Sequence, residues 1–332
     1  MLCWQHCFLI LIFFNFYISQ TLFSGNFFRS ISDTSASEDI KDPFLAMATS
    51  TEIKSFGSLL EQENAVRELD QVLSFTNSFE TTYENIVLKT KDGLKRDAVL
   101  TIRKNAKGNM VLCHPAAYDK DFMIPFQEHI FAHYNCIRFD FRRHGKGRKK
   151  QRSSLGKKEV YEVLSAIDVI KNDSRTKNLP TYGFGISLGA VVLIQTEAAN
   201  HKFDGLILQA PFESLKNQIQ RTFPVFKKPI MRSIIFKEPV RIYGKLKYNL
   251  DLYNVNPVES IKKIKIPIFL IHAKDDPIVP FSAFEKLKIT GQHCIKKTWT
   301  PVVGFHTDLF KTLPDVYTMR CNDFLHDIHR TI

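Results

Sequence analysis

Ser187 stands two residues after one glycine and two before another, in Tyr182-Gly183-Phe184-Gly185-Ile186-Ser187-Leu188-Gly189-Ala190. Glycine weakens regular elements, so placing it on both sides of a serine marks a backbone requirement. A sharp strand-to-helix turn has that requirement and holds the hydroxyl out at its tip. A serine hydroxyl is a weak nucleophile until a base removes its proton, so chemistry here also needs a histidine and a carboxylate to orient it. Two later segments carry them in the order Ser, Asp, His. The apolar run 266–273 leads into Lys274-Asp275-Asp276-Pro277-Ile278-Val279-Pro280, and the run 296–303 leads into Gly304-Phe305-His306-Thr307-Asp308. Each piece alone has a bland reading. A lone G-x-S-x-G is often only a glycine-rich turn, and a lone histidine such as His306 is more often structural. Order and placement after strands promote them together.

The elements that must hold these residues are legible as rhythm. Residues 58–75 place Leu59, Val66, Leu69 and Leu73 at helical spacing. YENIVLKT and DAVLTIRK flank an Asp-Gly turn, a hairpin pattern. Short apolar runs then alternate with helical stretches: MVLCHP, a helix around 122–133, NCIRFDF, a helix around 159–170, PTYGFG, a helix from Leu188, and FDGLILQAP. That alternation predicts a mostly parallel central sheet with helices on both faces. It stops between Pro211 and Ile266 and resumes with IPIFLIHA, a helix near 282–288, a strand near 296–303 and a terminal helix. Ser187 then sits above the carboxyl edge of the sheet, where ligands bind in open α/β folds.

From about Tyr83 to the C-terminus the chain resembles the α/β-hydrolase superfamily. The D-P-x-V-P turn of that family matches Asp276 better than Asp275, and Gly304-Phe305-His306 is a variant of its Gly-Gly-His. Asp140-Phe141-Arg142-Arg143-His144-Gly145 resembles its D-x-R-G-H-G loop, with Arg143 in place of glycine. The resemblance implies a Ser187–Asp276–His306 triad and an oxyanion hole from the amides of Leu188 and Ala116. Where the family has His-Gly-x, this chain has His114-Pro115-Ala116-Ala117, and Pro115 has no N–H to offer. His114 and His144 are expected to pack loops rather than act as bases. The resemblance further implies a helical cap over 212–265, inserted in a hydrolase domain of residues 58–332, and a reaction that uses no cofactor and no metal. The reading is a serine hydrolase for an acyl ester or thioester, on a small-molecule or lipid acyl substrate. The alternatives are a peptidase or acyltransferase with the same residues, or a non-catalytic binding module.

Composition bounds the rest. Apolar residues make up 44% and charged residues 24% of the 332, an ordinary globular balance, but the net charge is +12. Basic residues gather in Arg142–Arg152 and in Lys216–Lys247, the latter with nine Lys or Arg and one acid, Glu238. Such regions suit an anionic membrane surface or an acyl carrier; without interleaved aromatics or a nucleic-acid-binding pattern, specific nucleic-acid recognition is not expected. Phe8–Ile18 is an uncharged apolar run inside a leader spanning 1–25, followed by a linker over 26–57. It reads as a signal or anchor, giving an exported or membrane-associated protein, or as sequence upstream of a start near Met47, giving a cytoplasmic one. The six cysteines show neither CxxC nor metal-ligand spacing.

Overall fold

The computed structural model describes residues 80–145, 153–222 and 254–330. The leader, the linker, the helix expected over 58–75 and the middle of the 212–265 segment lie outside the described residues.

β1 (Thr81–Lys89) and β2 (Lys95–Arg103) form the expected antiparallel hairpin, turned at Gly93 with φ 82°. Then follow β3 (Asn109–Cys113), β4 (Asn135–Phe139), α1 (Val160–Asn172), β5 (Thr181–Ile186), α2 (Leu188–Asn200), β6 (Gly205–Gln209) and α3 (Leu215–Thr222). After the undescribed stretch come α4 (Pro257–Ile261), β7 (Ile268–Ile271), α5 (Phe281–Thr290), β8 (Ile295–Trp299), α6 (Leu309–Thr312) and α7 (Pro314–His329). The sheet runs β1-β2-β4-β3-β5-β6-β7-β8. The β2–β4 pair is antiparallel, and every pair from β4 to β8 is parallel. β3, β5, β6 and β7 are buried along their whole length. That is why their sequences read as unbroken apolar runs: helices cover both faces of a parallel sheet.

On one face α1, α2, α4 and α5 pack through Val163, Ile167, Val192, Leu193, Ile261 and Leu287. α2 is buried on nearly every side, as a helix apolar all round must be. The other face is aromatic. Phe122, Phe126 and Phe131 meet Phe184 of β5 and Tyr317 and Phe324 of α7. The single helix expected around 122–133 is instead a 3₁₀ turn, Lys120–Met123, and a π turn, Phe126–Ile130. Pro125 lies between them, and a proline removes an amide donor and clashes with the carbonyl one turn back.

Both ends of the 212–265 segment belong to the body. α3 buries Leu215, Gln218, Ile219 and Thr222, and α4 packs against α2 and α5. The start of the Arg142–Arg152 run is likewise interior. Arg142, Arg143 and His144 are buried. The Arg142 guanidinium donates to Glu162 at 3.0 Å and to Asp92 at 2.8 Å. These two arginines therefore do not contribute to a surface patch; residues 146–152 lie outside the described residues. Arg143 has φ 70°, which accounts for glycine at the matching place in the resembled loop. No helix among the described residues is long and apolar enough to cross a membrane.

Candidate active site

β5 ends at Ile186 and α2 begins at Leu188, so one residue makes the turn. That residue is Ser187, at φ 53° and ψ −114°, a conformation that costs a non-glycine residue about 1–3 kcal/mol. The glycines around it are steric necessities. A Cβ on Gly185 would stand 2.6 Å from the Gly189 carbonyl carbon, and one on Gly189 would overlap the Cys113 carbonyl at the end of β3. Strand, helix and neighbouring strand pass too closely for any side chain. The turn is pinned by the Ser187 amide, which donates to the Gln209 carbonyl at 2.8 Å. The Ser187 hydroxyl has no hydrogen-bond partner among the described residues.

Asp276 lies in the turn after β7 and is buried, whereas Asp275 beside it is exposed. Asp276 Oδ1 accepts the amides of Ile278 at 2.8 Å and Val279 at 2.9 Å. Its Oδ2 lies 2.6 Å from His306 Nδ1. Burial alone would raise the carboxyl pKa, but the attraction of His306 and these hydrogen bonds outweigh it and hold the group below its ordinary range. His272, at the end of β7, closes the turn by donating from Nε2 to the Val279 carbonyl at 2.8 Å. His306 itself is buried, and its Nε2 has no partner among the described residues. Gly304, at φ 88°, turns the chain into this loop. Phe305, where the resembled family has a second glycine, projects 48% exposed, so its bulk meets no crowding.

Gln209 is a residue the motif reading missed. It ends β6, fully buried, and joins three parts of the site. Its backbone accepts from Ser187, its Nε2 donates to the His306 carbonyl at 2.9 Å, and its Oε1 accepts from Tyr317 Oη at 2.6 Å. The signal in the sequence was a polar residue closing the apolar strand GLILQ. Gln209→Leu removes the clamp on the His306 loop and leaves two buried polar groups unpaired, at about 1–3 kcal/mol each. It should lower kcat at least tenfold with little change in KM; Tyr317→Phe should do so more weakly. Steady-state kinetics with a fluorogenic acyl ester checks both.

The loop after β3 is braced by two histidines. His114 Nε2 accepts the Phe141 amide at 3.1 Å while its Nδ1 lies 2.7 Å from the Pro115 carbonyl. His144 Nε2 accepts the Ala117 amide at 3.3 Å while its Nδ1 lies 3.0 Å from the Arg142 carbonyl. Both arrangements require a neutral ring with the proton on Nδ1. Burial lowers the pKa of His114 to about 4 and that of His144 to about 3. The Ala116 amide has no hydrogen-bond partner among the described residues. Ala116, Leu188 and Ser187 line one cavity, and the amide of Leu188, at the first helical position, has no partner within its helix. Pro115 thus contributes a carbonyl that orients His114, where an amide is missing.

These two histidines predict a pH signature. A group whose folded pKa is depressed binds protons more weakly folded than unfolded, so stability falls as pH drops from the usual histidine value of 6.5 toward about 4. Asp140, raised to about 6 chiefly by burial, pulls the other way, so the informative quantity is a difference. The stability margin of the native protein over a His114→Asn/His144→Gln variant should shrink steadily across that interval. Urea unfolding at several pH values measures it.

The sheet order, the turn at Ser187 and the loops above the carboxyl edge define an α/β-hydrolase fold. Esterase Pf2001 of Pyrococcus furiosus superposes with a TM-score of 0.60 at 22% identity, over 75% of this chain and 92% of that one. Est1E of Butyrivibrio proteoclasticus does so with 0.56 at 15% identity, over 73% and 98%. In sequence, lysophosphatidylserine lipase ABHD12 of Macaca fascicularis is 29% identical over 195 residues, 53% of this chain and 43% of the lipase. The chain therefore spans less than half the length of that relative. Protein YqkD of Bacillus subtilis is 27% identical over 187 residues, 54% of this chain and 58% of its own. No family model matches.

Proposed function

We propose that the protein is a serine hydrolase that cleaves acyl esters or thioesters through a covalent acyl-enzyme. The observation that carries this reading is the buried Asp276–His306 pair at 2.6 Å, with His306 Nε2 unpartnered among the described residues, at the sheet edge where Ser187 is held in a strained turn. Ser187 Oγ attacks the acyl carbon while its proton passes to His306 Nε2, and the negative charge of the tetrahedral intermediate falls on the carbonyl oxygen. The bond to the leaving oxygen or sulfur then breaks, and His306 returns the proton to it. Asp276 keeps the imidazole proton on Nδ1 and stabilises the imidazolium. The amides of Leu188 and Ala116 face the oxyanion, a contribution of about 10²–10³ in turnover per donor. Water, activated by His306, releases the acid.

Relatives named as a lipase and as esterases support an ester substrate. The cavity wall of Leu155, Phe212, Leu215, Ile278 and Val279 supports an apolar acyl group. The net charge of +12 supports presentation of that substrate at an anionic surface. Peptidase or acyltransferase chemistry would use the same residues. Fluorophosphonate labelling followed by turnover of matched ester, thioester and anilide substrates separates these readings. Labelling with ester or thioester turnover is expected. A folded protein that takes no label points to a binding module instead.

A further inference from the structure

Between β4 and α1 the chain passes through Leu155 at φ 52°. Left-handed backbone is uncommon outside glycine, and for a bulky side chain it is strained. Glu159 holds the conformation. Its Oε1 accepts from Ser153 Oγ and the Ser154 amide, both at 2.8 Å, and its Oε2 accepts from Ser154 Oγ at 2.5 Å and the Gly156 amide at 2.9 Å. The Leu155 amide donates to Ser153 Oγ at 3.1 Å. A Cβ on Gly156 would stand 3.2 Å from Val191, so the loop lies tight against α2, the helix that Ser187 starts. Strain that the surroundings hold in place gathers at functional sites. Leu155 is buried, yet it joins neither apolar layer flanking the sheet, and the same is true of Phe212, Leu215 and Val279. These four line the cavity that Ser187, Leu188 and Ala116 share. The cavity measures about 30 Å³. A water-sized sphere needs about 10–15 Å³, so roughly two or three non-hydrogen atoms fit. The acyl group stays bonded to Ser187 after the leaving group has gone to solvent, so an enclosed space at the nucleophile is the acyl side.

We propose that Leu155 is a specificity-determining residue that closes the acyl cavity, and that the preferred substrates are esters of short acyl groups, about two to four carbons long. The alcohol part leaves to solvent and is not limited in this way, so the ester itself can be large. This rests on the hydrolase reading above. A longer acyl chain must displace Leu155 or the side chains packed beside it, and overfilling a packed apolar space costs about 10- to 100-fold in a rate constant.

The p-nitrophenyl esters of butyric and octanoic acids test the proposal, since they share a leaving group and differ only in acyl length. The quantity read is the octanoate-to-butyrate ratio of kcat/KM, below the concentration at which the esters form micelles, for the native protein, Leu155→Ala and Leu155→Gly. The native ratio should be about 0.1 or less, and each variant should raise it at least about tenfold by opening one wall. Glycine adopts a φ of 52° without strain, so Leu155→Gly should keep the loop in place. A merely structural leucine would lower both esters together and leave the ratio where it was, which overturns the proposal. A native ratio near or above unity does so too, even where a variant fails to fold. Discrimination that appears instead between butyl and octyl acetates would put the cavity on the alcohol side and overturn the acyl assignment. Fluorophosphonate labelling runs alongside. An unlabelled native protein removes the hydrolase reading and the role of Leu155 with it, whereas normal labelling with an unmoved ratio removes only the latter.

Discussion

Ser187→Ala should abolish fluorophosphonate labelling and lower kcat on a fluorogenic acyl ester by on the order of 10⁵–10⁶-fold. The size follows from what alanine deletes. In the proposed mechanism the hydroxyl forms the acyl bond, and without it His306 and Asp276 have no proton to move. The fold should be untouched: Ser187 Oγ makes no hydrogen bond among the described residues, while the amide that pins the turn to Gln209 remains. Alanine tolerates the φ of 53° no worse than serine does. Labelling and turnover measured beside the melting temperature give the answer. Label retained by Ser187→Ala on a single site would mean that another residue is the nucleophile.

Asp276→Asn should cost about 10⁴-fold in kcat, and Asp275→Asn less than twofold. The neighbours are alike in chemistry and opposite in placement. Asp276 is buried and spends one oxygen on two backbone amides and the other on His306 Nδ1. An asparagine there keeps the amide contacts only by turning its oxygen toward them. Its NH₂ then faces Nδ1 and favours the tautomer with the proton on Nε2, which cannot receive one from Ser187. It also withdraws the negative charge that stabilises the imidazolium. Asp275 is exposed, and no hydrogen bond ties it to His306. The pair of variants, measured on one substrate from pH 6 to 9, discriminates between them. Equal losses would show that the acid works through the field of the whole turn rather than through one hydrogen bond.

Much of the site was readable because its demands are local. Two glycines around a serine state that chain segments cross within contact distance, and the overlap that Cβ atoms at Gly185 and Gly189 would create is that statement in space. Runs such as NMVLC and IFLI, apolar without alternation, state that a strand is covered on both faces. Where a local rule competes with a pattern, the pattern misleads. Residues 122–133 have helical periodicity, yet Pro125 divides them into two turns. Arg142–Arg152 reads as a solvated basic loop, yet Arg142 is drawn inside by Glu162, twenty residues on.

The sequence by itself determined the class of fold, the turn that presents Ser187 and the order in which an acid and a histidine follow it, since each depends on residue type and short spacing. Only the tertiary structure decided which of two adjacent aspartates meets His306. Only it showed that His114 and His144 brace the loop carrying Ala116, and that Gln209 and Tyr317 clamp the His306 loop across separations of 97 and 108 residues. The physical reason is common to these cases. A side-chain hydrogen bond is decided within a few tenths of an ångström, and that precision comes from the register of the sheet and the packing of helices on it, neither of which is written in any one stretch of the chain.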